Sequence, residues 1–351
     1  MTVFKSFILR SIGIGTLVGA GFSLINISKT SSQIQILNGE TIIPSLNKPI
    51  NIQPSRKVRI PSDVTGLKLT LYQYQTCPFC CKVRVFLDYY GISYDVVEVD
   101  PVLRQSIQWS QYKKVPILLA ELNDGCQQQL NDSTMIISAL SSLLADNAKS
   151  LPEIMKYYPI LKSNDPKGTI KTDIMNKYFI MTNAAIVNEQ NNADLTEERK
   201  WRTWADNVLV HTLSPNVYRS QTEALQAFNW FSEVGEWEKH FPTWERLLII
   251  YVGAFAMWLI GKRLKKRYNL KDDVRQSLYD ECNYWIRAIR KKGTPFMGGV
   301  RPNLSDLAVY GVLSSIEGCN TFQDMLLHSS ISEWYKAMKD LVQKHEGMKY
   351  I

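Results

Sequence analysis

The chain has 351 residues, 45% of them hydrophobic, which is long and apolar enough for two folded domains and excludes a wholly disordered chain. Its net charge of +8 is modest for this length, and the basic residues do not alternate with aromatic residues, so we expect no nucleic-acid partner. Six cysteines are too few for a secreted disulfide scaffold, and no second CxxC motif or Cys/His cluster completes a metal site, so we expect no metal.

Residues 1–28 are predicted to be a hydrophobic membrane anchor or targeting segment, because an uncharged stretch of nearly spanning length follows two basic residues. A secretory signal peptide is the third interpretation, but the absence of acidic residues before Glu40 favours an anchor or an organelle leader. Residues 29–66 are rich in Ser, Asn, Gln and Pro and lack periodicity, so we expect a linker there.

Residues 67–147 are predicted to form a small α/β domain. Alternating apolar positions indicate strands, and an apolar period of about 3.6 residues indicates helices. The elements follow in the order βαβαββα: "GLKLTLYQY", "PFCCKVRVFLDYYG", "SYDVVEVDP", "VLRQSIQWSQY", "KVPILLAEL", "CQQQLN" and "DSTMIISALSSLL". Together with the CxxC motif at the end of the first strand, this order predicts a thioredoxin-like fold.

The CxxC motif places Cys77 at the first turn of the first helix, where free backbone N–H groups and the helix dipole stabilise a thiolate. Cys80 lies one turn deeper and is the natural redox partner, while Pro78 suits the first helical position. Cys81 should point away from Cys77 and is predicted to be structural. The motif therefore predicts a reactive thiol at Cys77, and thiol–disulfide exchange is its first interpretation.

Two aromatic residues flank the reactive position. Tyr74 ends the strand, where its hydroxyl would reach the thiolate or a substrate, although a half-buried aromatic residue fits the pattern equally well. Phe79, inside the motif, would offer a substrate an apolar wall. In "KVPIL", the bond between Val115 and Pro116 is expected to be cis and to abut the active cysteine, which leaves backbone free to pair with a peptide or glutathione.

The helix that begins in "LNDSTMI" offers a second binding feature. Its N-terminal N–H groups suit a carboxylate such as the γ-glutamyl end of glutathione. Asp132 and Ser133 would then bind the amine and the carboxylate of that ligand, respectively. A purely capping role explains both residues equally well.

An inter-domain linker at residues 148–170, with "PILKSNDPKGT" as an exposed loop, is predicted to precede a helical domain at residues 171–351. Helical periodicity marks "NKYFIMTNAAIV", "EERKWRTWADNVLVHTL", "ALQAFNWFSEVG", "TWERLLIIYVGAFAMWLIGKRLKKRY", "DDVRQSLYDECNYWIRAIRKK", "SDLAVYGVLSSIEG" and "SEWYKAMKDLVQKH". The uncharged run from Leu247 to Gly261 is short for a bilayer span, so we expect a helix buried between its neighbours. The basic cluster that follows leaves a membrane-surface role open.

From about Lys68 onward the chain resembles the membrane-associated prostaglandin E synthase type 2 family. The matching stretches are "LTLYQYQTCPFC", "KVRVFLD", "VVEVDPV", "KVPIL", "QLNDS", "IISAL", "SPNVYR", "KRLK" and "FMGGVRPNLSDLAVYGVL". CPFC alone would indicate only a glutaredoxin-like domain, and the C-terminal stretches make the resemblance specific. The resemblance implies a thioredoxin-like α/β N-terminal domain followed by an all-α glutathione-transferase-like C-terminal domain.

The resemblance also implies isomerisation of the lipid endoperoxide prostaglandin H2 to prostaglandin E2, in association with glutathione. Cys77 matches the catalytic thiol, which would attack one oxygen of the O–O bond. Tyr74 and Phe79 would shape the pocket, and Cys80 would be less essential than in a dithiol exchanger. The family's glutathione contacts match Val115, Pro116, Asp132 and Ser133.

The family has also been associated with haem held beside glutathione. The matching positions are His211, Ser214, Arg263 and Arg267. Two arginines four residues apart on a helix would receive two propionates, although a solvated basic helix end explains them equally well. Bound haem would replace the thiol route by iron-promoted breakdown of the endoperoxide.

The resemblance further implies a homodimer. The N-terminal segment shows no useful match to the family, and from its own composition we expect attachment to a mitochondrial or Golgi membrane through this segment, with a processed soluble form. Cys81 departs from the family, in which a small polar residue is common at that position.

Two other functions remain open. One is a glutaredoxin-like thiol–disulfide oxidoreductase, which the complete CPFC motif supports, and the other is a non-catalytic haem- and glutathione-binding protein tethered to a membrane.

Overall fold

The structure is a computed structural model that describes residues 43, 45–46, 50–146, 148–164, 170–181 and 189–351. The predicted anchor or targeting segment, residues 1–28, lies outside the described residues, as does much of the predicted linker 29–66.

A six-stranded mixed sheet forms the centre of the α/β domain. Its strands are β1 (Ser45–Leu46), β2 (Arg56–Val58), β3 (Leu69–Gln73), β4 (Tyr94–Glu98), β5 (Ile117–Glu121) and β6 (Gln127–Asn131), in the spatial order β1-β6-β5-β3-β4-β2. Strands β3 and β4 are parallel, and the other neighbouring pairs are antiparallel. The strand that leads into the CxxC motif, β3, therefore lies in the middle of the sheet.

Two helices pack against this sheet, α1 (Pro78–Tyr89) and α2 (Ser133–Ala145). Helix α1 begins at a proline, because the first turn of a helix has no intrahelical partner for an N–H group. Asp132 is the N-cap of α2 and accepts the N–H groups of Thr134 and Met135. The predicted thioredoxin-like arrangement is confirmed, except that the helix expected between β4 and β5 is only a 3₁₀ turn, Gln105–Ile107.

Both predicted linkers contain secondary structure. Strands β1 and β2 lie within residues 29–66 and pair with β6 and β4 at the two edges of the sheet. Residues 148–170 contain the helix α3 (Leu151–Met155) and most of a hairpin, β7 (Ile160–Asn164) and β8 (Ile170–Ile174), where an exposed loop was predicted. These elements are two to five residues long, which is too short for a periodic pattern to stand out from a polar sequence.

The second domain is helical, as predicted. Its helices are α4 (Glu189–Trp204), α5 (Val210–Val217), α6 (Gln221–Val234), α7 (Trp237–His240), α8 (Thr243–Leu248), α9 (Ala254–Arg267), α10 (Val274–Lys292), α11 (Leu304–Ser314), α12 (Asn320–His328) and α13 (Ser332–Gln343). The π-helical turns Ala205–Leu209 and Ile249–Gly253 join α4 to α5 and α8 to α9. The predicted helix "NKYFIMTNAAIV" is wrong over its described part, residues 176–181, which is turn and irregular chain.

Helices α8 and α9 and the π-helical turn between them form one continuous helix, Thr243–Arg267, of 25 residues. Among the described residues, it is the one helix long and apolar enough to cross a membrane. We predicted that neighbouring helices bury this uncharged run. The prediction is wrong for most of the run, since only 33% of the most apolar 18-residue stretch of the helix is buried. One side of this helix packs on the domain, and the other side is exposed.

Helices α1 and α11 hold the two domains together. A Cβ atom at Gly311 of α11 would stand 2.7 Å from the Cα atom of Lys82, so this close approach requires glycine. The buried Lys82 ammonium lies 2.5 Å from one carboxylate oxygen of Asp206, and the other oxygen accepts hydrogen bonds from the hydroxyl groups of Thr134 and Tyr178. These contacts fix the orientation of α1, and with it the position of the CxxC motif, against the helical domain.

Candidate active site

Cys77 is the N-cap residue of α1. Its N–H donates to the carbonyl oxygen of Tyr74 at 3.1 Å, and its own carbonyl oxygen accepts the N–H of Cys81 at 2.9 Å. This turn carries the chain from β3 directly into α1 and places the Cys77 side chain beside the free N–H groups of the first helical turn. Cys77 is partly exposed, whereas Cys80 is fully buried.

The two cysteines of the motif have opposite pKa shifts. The pKa of Cys77 is lowered, chiefly by a hydrogen bond from the Cys80 thiol and also by the backbone N–H groups of Cys80 and Phe79, which together outweigh burial. The pKa of Cys80 is raised well above its ordinary value by burial, by that same hydrogen bond and by the charge on Cys77. When the pair loses one proton, the thiolate is therefore on Cys77 and the remaining thiol is on Cys80.

Cys81 lies away from the reactive sulfur atom. Its thiol donates to the carbonyl oxygen of Gln75 at 3.5 Å and lies 3.1 Å from the guanidinium of Arg84. Burial raises its pKa, so the side chain stays protonated. This environment agrees with the structural role that we predict for Cys81.

Cys77 opens into a cavity between the two domains, with an empty volume of about 1040 Å³ including its open mouth. The α/β wall of this cavity consists of Tyr74, Gln75, Thr76, Cys77, Pro78, Phe79, Glu98 and Pro101. The helical wall consists of Val210, Leu213, Ser214, Val217, Tyr218, Phe228, Phe231, Trp237, Ile249, Met257, Ser315 and Ile316. A mostly apolar cavity with a few polar groups at one side suits a large apolar ligand that has one reactive group.

The structure brings together three of the four predicted catalytic side chains. Tyr74 and Phe79 line the cavity with Cys77. Burial raises the pKa of Tyr74, so its phenol is protonated and can donate a hydrogen bond. The fourth residue, Cys80, does not line the cavity but lies behind Cys77 in an apolar cluster that includes Tyr72.

Glu98 is a cavity residue that the sequence did not indicate. It ends β4, which is parallel to β3, so its carboxyl group comes beside the CxxC turn. One oxygen accepts the N–H of Gln75 at 2.6 Å, and the other accepts the side-chain amide of Gln73 at 3.2 Å. Burial nevertheless raises the pKa of Glu98 to about 7. A carboxyl group with a pKa near neutrality therefore shares the cavity with Cys77.

The predicted glutathione contacts lie close to the cysteine pair but do not line the cavity. The Val115–Pro116 bond is cis, as predicted, and Val115 packs in the same apolar cluster as Cys80. Tyr112 packs against this cluster together with Cys77, and its pKa is raised by burial and then by the charges of Asp132 and both cysteines. Asp132 and the CxxC motif are therefore near neighbours in space.

Asp132 and Ser133 both have partners within the protein. The Asp132 carboxylate accepts the N–H of Thr134 at 2.9 Å, and its other oxygen lies 3.9 Å from the ammonium of Lys177. The Ser133 hydroxyl is buried and lies 3.4 Å from the ammonium of Lys82. The capping role that we gave as the alternative is confirmed for Asp132. The Ser133 hydroxyl faces the protein interior, so a ligand would meet its backbone N–H group first.

The four positions that the resemblance associates with haem lie at one end of the helical wall. Ser214 lines the cavity, and His211 on the same helix stacks on Tyr268 with 4.1 Å between ring centroids. The Nδ1 atom of His211 is buried without a hydrogen-bond partner among the described residues, and burial together with the charge of Arg267 lowers the pKa of His211 to about 4. Arg263 and Arg267 are exposed one turn apart. Two exposed guanidinium groups one turn apart can bind carboxylates, whereas the unpartnered imidazole nitrogen of His211 is buried.

Most residues of the helical wall were not predicted from the sequence to line a site. Tyr218, Phe228 and Trp237 lie in apolar helical patterns, and such patterns indicate burial without telling a core residue from a cavity residue. Glu98 had one signal, a charged residue inside the apolar strand "VVEV". An acidic residue in a buried strand is rare enough to mark a candidate site.

This chain is similar to known proteins over most of its length. Residues 71–148 match the N-terminal domain of glutathione S-transferases. The chain is 44% identical over 336 residues to Prostaglandin E synthase 2 of Danio rerio, across 95% of this chain and 82% of that protein. It is 47% identical over 288 residues to Prostaglandin E synthase 2 of Mus musculus, across 82% of this chain and 73% of that protein. Glutathione transferase F7 from Populus trichocarpa is more distant, with 14% identity and a TM-score of 0.43 across 80% of this chain and 99% of that chain.

Proposed function

Because the chain belongs to the prostaglandin E synthase 2 family, we propose that it isomerises prostaglandin H2 to prostaglandin E2 in the cavity that opens from Cys77. The observation that carries this proposal is a cysteine of lowered pKa in the wall of a mostly apolar cavity between the two domains. A lipid endoperoxide has a long apolar body and one reactive O–O bond. These two parts match the helical wall and the α/β wall, respectively.

The first step takes place at the O–O bond. The Cys77 thiolate attacks the oxygen on the ring carbon that becomes the ketone, so that an S–O bond forms and the O–O bond breaks. The second oxygen leaves as an alkoxide and takes a proton to become the product hydroxyl. We assign to Tyr74 the hydrogen bond that stabilises this oxygen, because burial keeps its phenol protonated.

The second step removes the hydrogen from the same ring carbon. A base takes the proton, the C–H electron pair forms the carbonyl group, and the S–O bond breaks to return the thiolate. We assign the role of base to Glu98, which lines the cavity with Cys77 and has a pKa of about 7. The proton that the base gains balances the proton that the alkoxide takes, so there is no net redox change.

We propose glutathione as the cofactor, bound beside the cis Val115–Pro116 bond. An extended tripeptide can pair with backbone at this position, as a peptide pairs with the edge of a sheet. Its γ-glutamyl carboxylate would face the amino end of α2 at Asp132 and Ser133. The Asp132 side chain is 32% exposed although it caps α2, so the ligand's amine can reach it.

We propose that haem, where it binds, is held by His211, Ser214, Arg263 and Arg267. If haem binds, its iron would supply redox chemistry that breaks down an endoperoxide, which is a different reaction from isomerisation. The guanidinium groups would bind carboxylates, and the neutral imidazole would orient the group. A Soret band in freshly purified protein that is lost in His211→Ala would support this site.

We further propose that the chain acts as a homodimer at a mitochondrial or Golgi membrane, attached through residues 1–28. The uncharged N-terminal stretch and its basic flank support attachment there. Sequencing the N-terminus of the mature protein distinguishes an anchor from a cleaved leader. Sedimentation in detergent tests the dimer, and fractionation of cells tests the organelle.

Product analysis with prostaglandin H2 tests the main proposal. We expect Cys77→Ser to lower prostaglandin E2 formation on the order of 10³-fold or more, because a serine hydroxyl stays protonated at neutral pH. Wild type and variant are compared with and without glutathione and haem. Equal yields from the two proteins would exclude the thiol mechanism. Exclusive fragmentation of the substrate by haem-bound protein would favour a haem- and glutathione-binding function.

Glutaredoxin-like exchange is the second candidate function. The complete CxxC motif supports it, because both of its cysteines are free and the lowered pKa of Cys77 favours the thiolate that attacks a disulfide. The two functions differ in their need for Cys80, since exchange by two thiols requires it and isomerisation does not.

A further inference from the structure

The helix Thr243–Arg267 exposes a row of large hydrophobic side chains, which we call the apolar face. Its members are each at least 40% exposed: Trp244, Leu247, Tyr251, Val252, Phe255 and Leu259. They are six of the 17 exposed large hydrophobic residues in the described part of the chain, so exposure of this kind is concentrated on one helix. Single apolar residues on a surface are normal, but a contiguous row marks an interaction site.

Helical geometry makes this row continuous. Intervals of three or four residues place Trp244, Leu247, Tyr251, Phe255 and Leu259 on one side. The π-helical turn Ile249–Gly253 is wider than an α-helical turn and brings Val252 beside Tyr251 on that side. With a rise of 1.5 Å per residue, the row is about 22 Å long.

The opposite side of the helix packs against the rest of the helical domain. Ala254, Met257 and Leu264 are buried, and Ile249 and Met257 line the cavity. A transmembrane position would withdraw these side chains from the cavity wall. The helix is therefore built to lie on an apolar surface and not to cross it.

The last turns of the helix form a basic end, where Lys262, Arg263, Lys266 and Arg267 are all exposed. The Lys262 ammonium lies 3.8 Å from the ring centroid of Trp258, so the basic end directly adjoins aromatic surface. Between residues 243 and 267, all of which the structure describes, the one acidic residue is Glu245, and it is buried. The exposed side thus carries positive charge without a negative group of its own.

We propose that the apolar face and the basic end together dock on an anionic membrane surface, with the helix parallel to the plane of the bilayer. The apolar side chains would enter the boundary between headgroups and acyl chains, and the lysines and arginines would contact anionic headgroups. Tryptophan and tyrosine, as at Trp244 and Tyr251, favour this boundary. A second copy of the chain is a less suitable partner than an anionic membrane. The apolar face of that copy would offer no acidic group to the basic end of the first copy.

Docking in this orientation would bring the cavity to the membrane, since the same helix forms part of the helical wall. A lipid endoperoxide could then pass from the bilayer to Cys77 without crossing water. This consequence rests on the proposed function, but the docking itself does not, and the experiment below measures docking without substrate.

The test uses the full chain on phosphatidylcholine vesicles that contain phosphatidylserine. A photoreactive benzoylphenylalanine replaces Phe255 in one variant and Leu327, a 77% exposed leucine on α12, in the matched control. Residues 1–28 are the same in both variants, so any attachment through them is common to both. We expect position 255 to form covalent adducts with lipid and position 327 to form none.

A second pair of variants tests the charge. Lys262→Gln/Lys266→Gln, made with the photoreactive group at position 255, should lower the adduct yield about fivefold for each lysine removed. Lys291→Gln/Lys336→Gln removes two exposed lysines elsewhere and should leave the yield unchanged.

Three results would overturn the proposal. One is equal lipid adducts at positions 255 and 327, and another is a chain that does not bind the vesicles. The third is a covalent dimer in place of lipid adducts from position 255, which would assign the apolar face to a second copy of the chain.

Discussion

The α/β wall and the helical wall of the cavity differ in what their side chains can do. The α/β wall contributes a thiolate, a phenol and a carboxyl group at Cys77, Tyr74 and Glu98. The helical wall contributes mostly aliphatic and aromatic surface, with Ser214 and Ser315 as its hydroxyl groups apart from the buried phenol of Tyr218. In the proposed reaction, bond making therefore takes place at the α/β wall and recognition of the apolar substrate at the helical wall, so substitutions in the two walls should change different kinetic constants.

The contact between the two domains should show the largest effect, because it holds the walls together. Burial opposes ionisation of Asp206, but the charge and hydrogen bond of Lys82 lower the pKa of Asp206 overall. We expect Lys82→Met to lower the free energy of unfolding by about 3–5 kcal/mol, since it leaves a buried carboxylate without its cation. Urea denaturation measures the loss.

Two controls accompany this prediction. The double variant Lys82→Met/Asp206→Leu should recover part of the stability, because it removes the unpaired charge. Lys68→Met, which breaks an exposed ion pair with Glu121, should cost less than about 1 kcal/mol. Since the pKa of Asp206 is lowered in the folded protein, the stability from this pair is present at neutral pH and is lost as the pH falls through that lowered pKa. A Lys82→Met variant as stable as wild type would contradict this account.

The carboxyl group of the α/β wall should show the next largest effect. Glu98→Gln should lower kcat by about 10²-fold, because an amide cannot accept the proton from the ring carbon. In wild type the rate should rise as the pH increases through about 7, where Glu98 becomes ionised, and the variant should lack this rise.

Thiol alkylation separates this pH dependence from the ionisation of Cys77, because it reports the thiolate directly. Glu121→Gln removes an exposed carboxylate at the end of β5 and should leave both the rate and its pH dependence intact. A Glu98→Gln enzyme that keeps the rise near pH 7 would remove Glu98 from the mechanism.

A substitution in the helical wall should weaken substrate binding and leave the rate of the chemical step nearly unchanged. Phe231→Ala should raise KM about tenfold with little change in kcat, because it removes apolar contact that substrate and transition state share. Trp230→Ala is the matched control, since it removes the neighbouring aromatic ring of α6, which does not line the cavity. A fall in kcat for Phe231→Ala would show that the helical wall also contributes to the chemical step.

The smallest effect on isomerisation should come from the second cysteine. Cys80→Ser should leave prostaglandin E2 formation nearly unchanged, because a serine hydroxyl can still donate a hydrogen bond to the Cys77 thiolate. The same variant should lose turnover on protein disulfides by the two-thiol route. Cys81→Ser should change neither activity, since Cys81 bonds to the Gln75 carbonyl and lies off the cavity. Loss of isomerisation in Cys80→Ser would favour a disulfide-based mechanism.

Much of the fold was predictable because its signals are local. The alternation in "GLKLTLYQY" and the proline after Cys77 predicted β3 and the start of α1, and the structure confirms both. The edge strands β1 and β2 and the hairpin of β7 and β8 were missed, because pairing with distant residues stabilises them more than their own sequences do. The roles of Cys77, Tyr74 and Phe79 remain predictions, although the structure places all three around one cavity.

Local sequence patterns were enough to predict a cysteine at a strand-to-helix junction, the order of the central elements of the α/β domain and the helical nature of the second domain. These depend on residues within a few positions of each other, where periodicity and capping act. The tertiary structure alone decided that Glu98 has a pKa of about 7 beside Cys77, that Lys82 meets Asp206, and that one side of Thr243–Arg267 stays exposed. Burial and electrostatic environment are set by atoms from distant segments, so no local pattern in the sequence contains them.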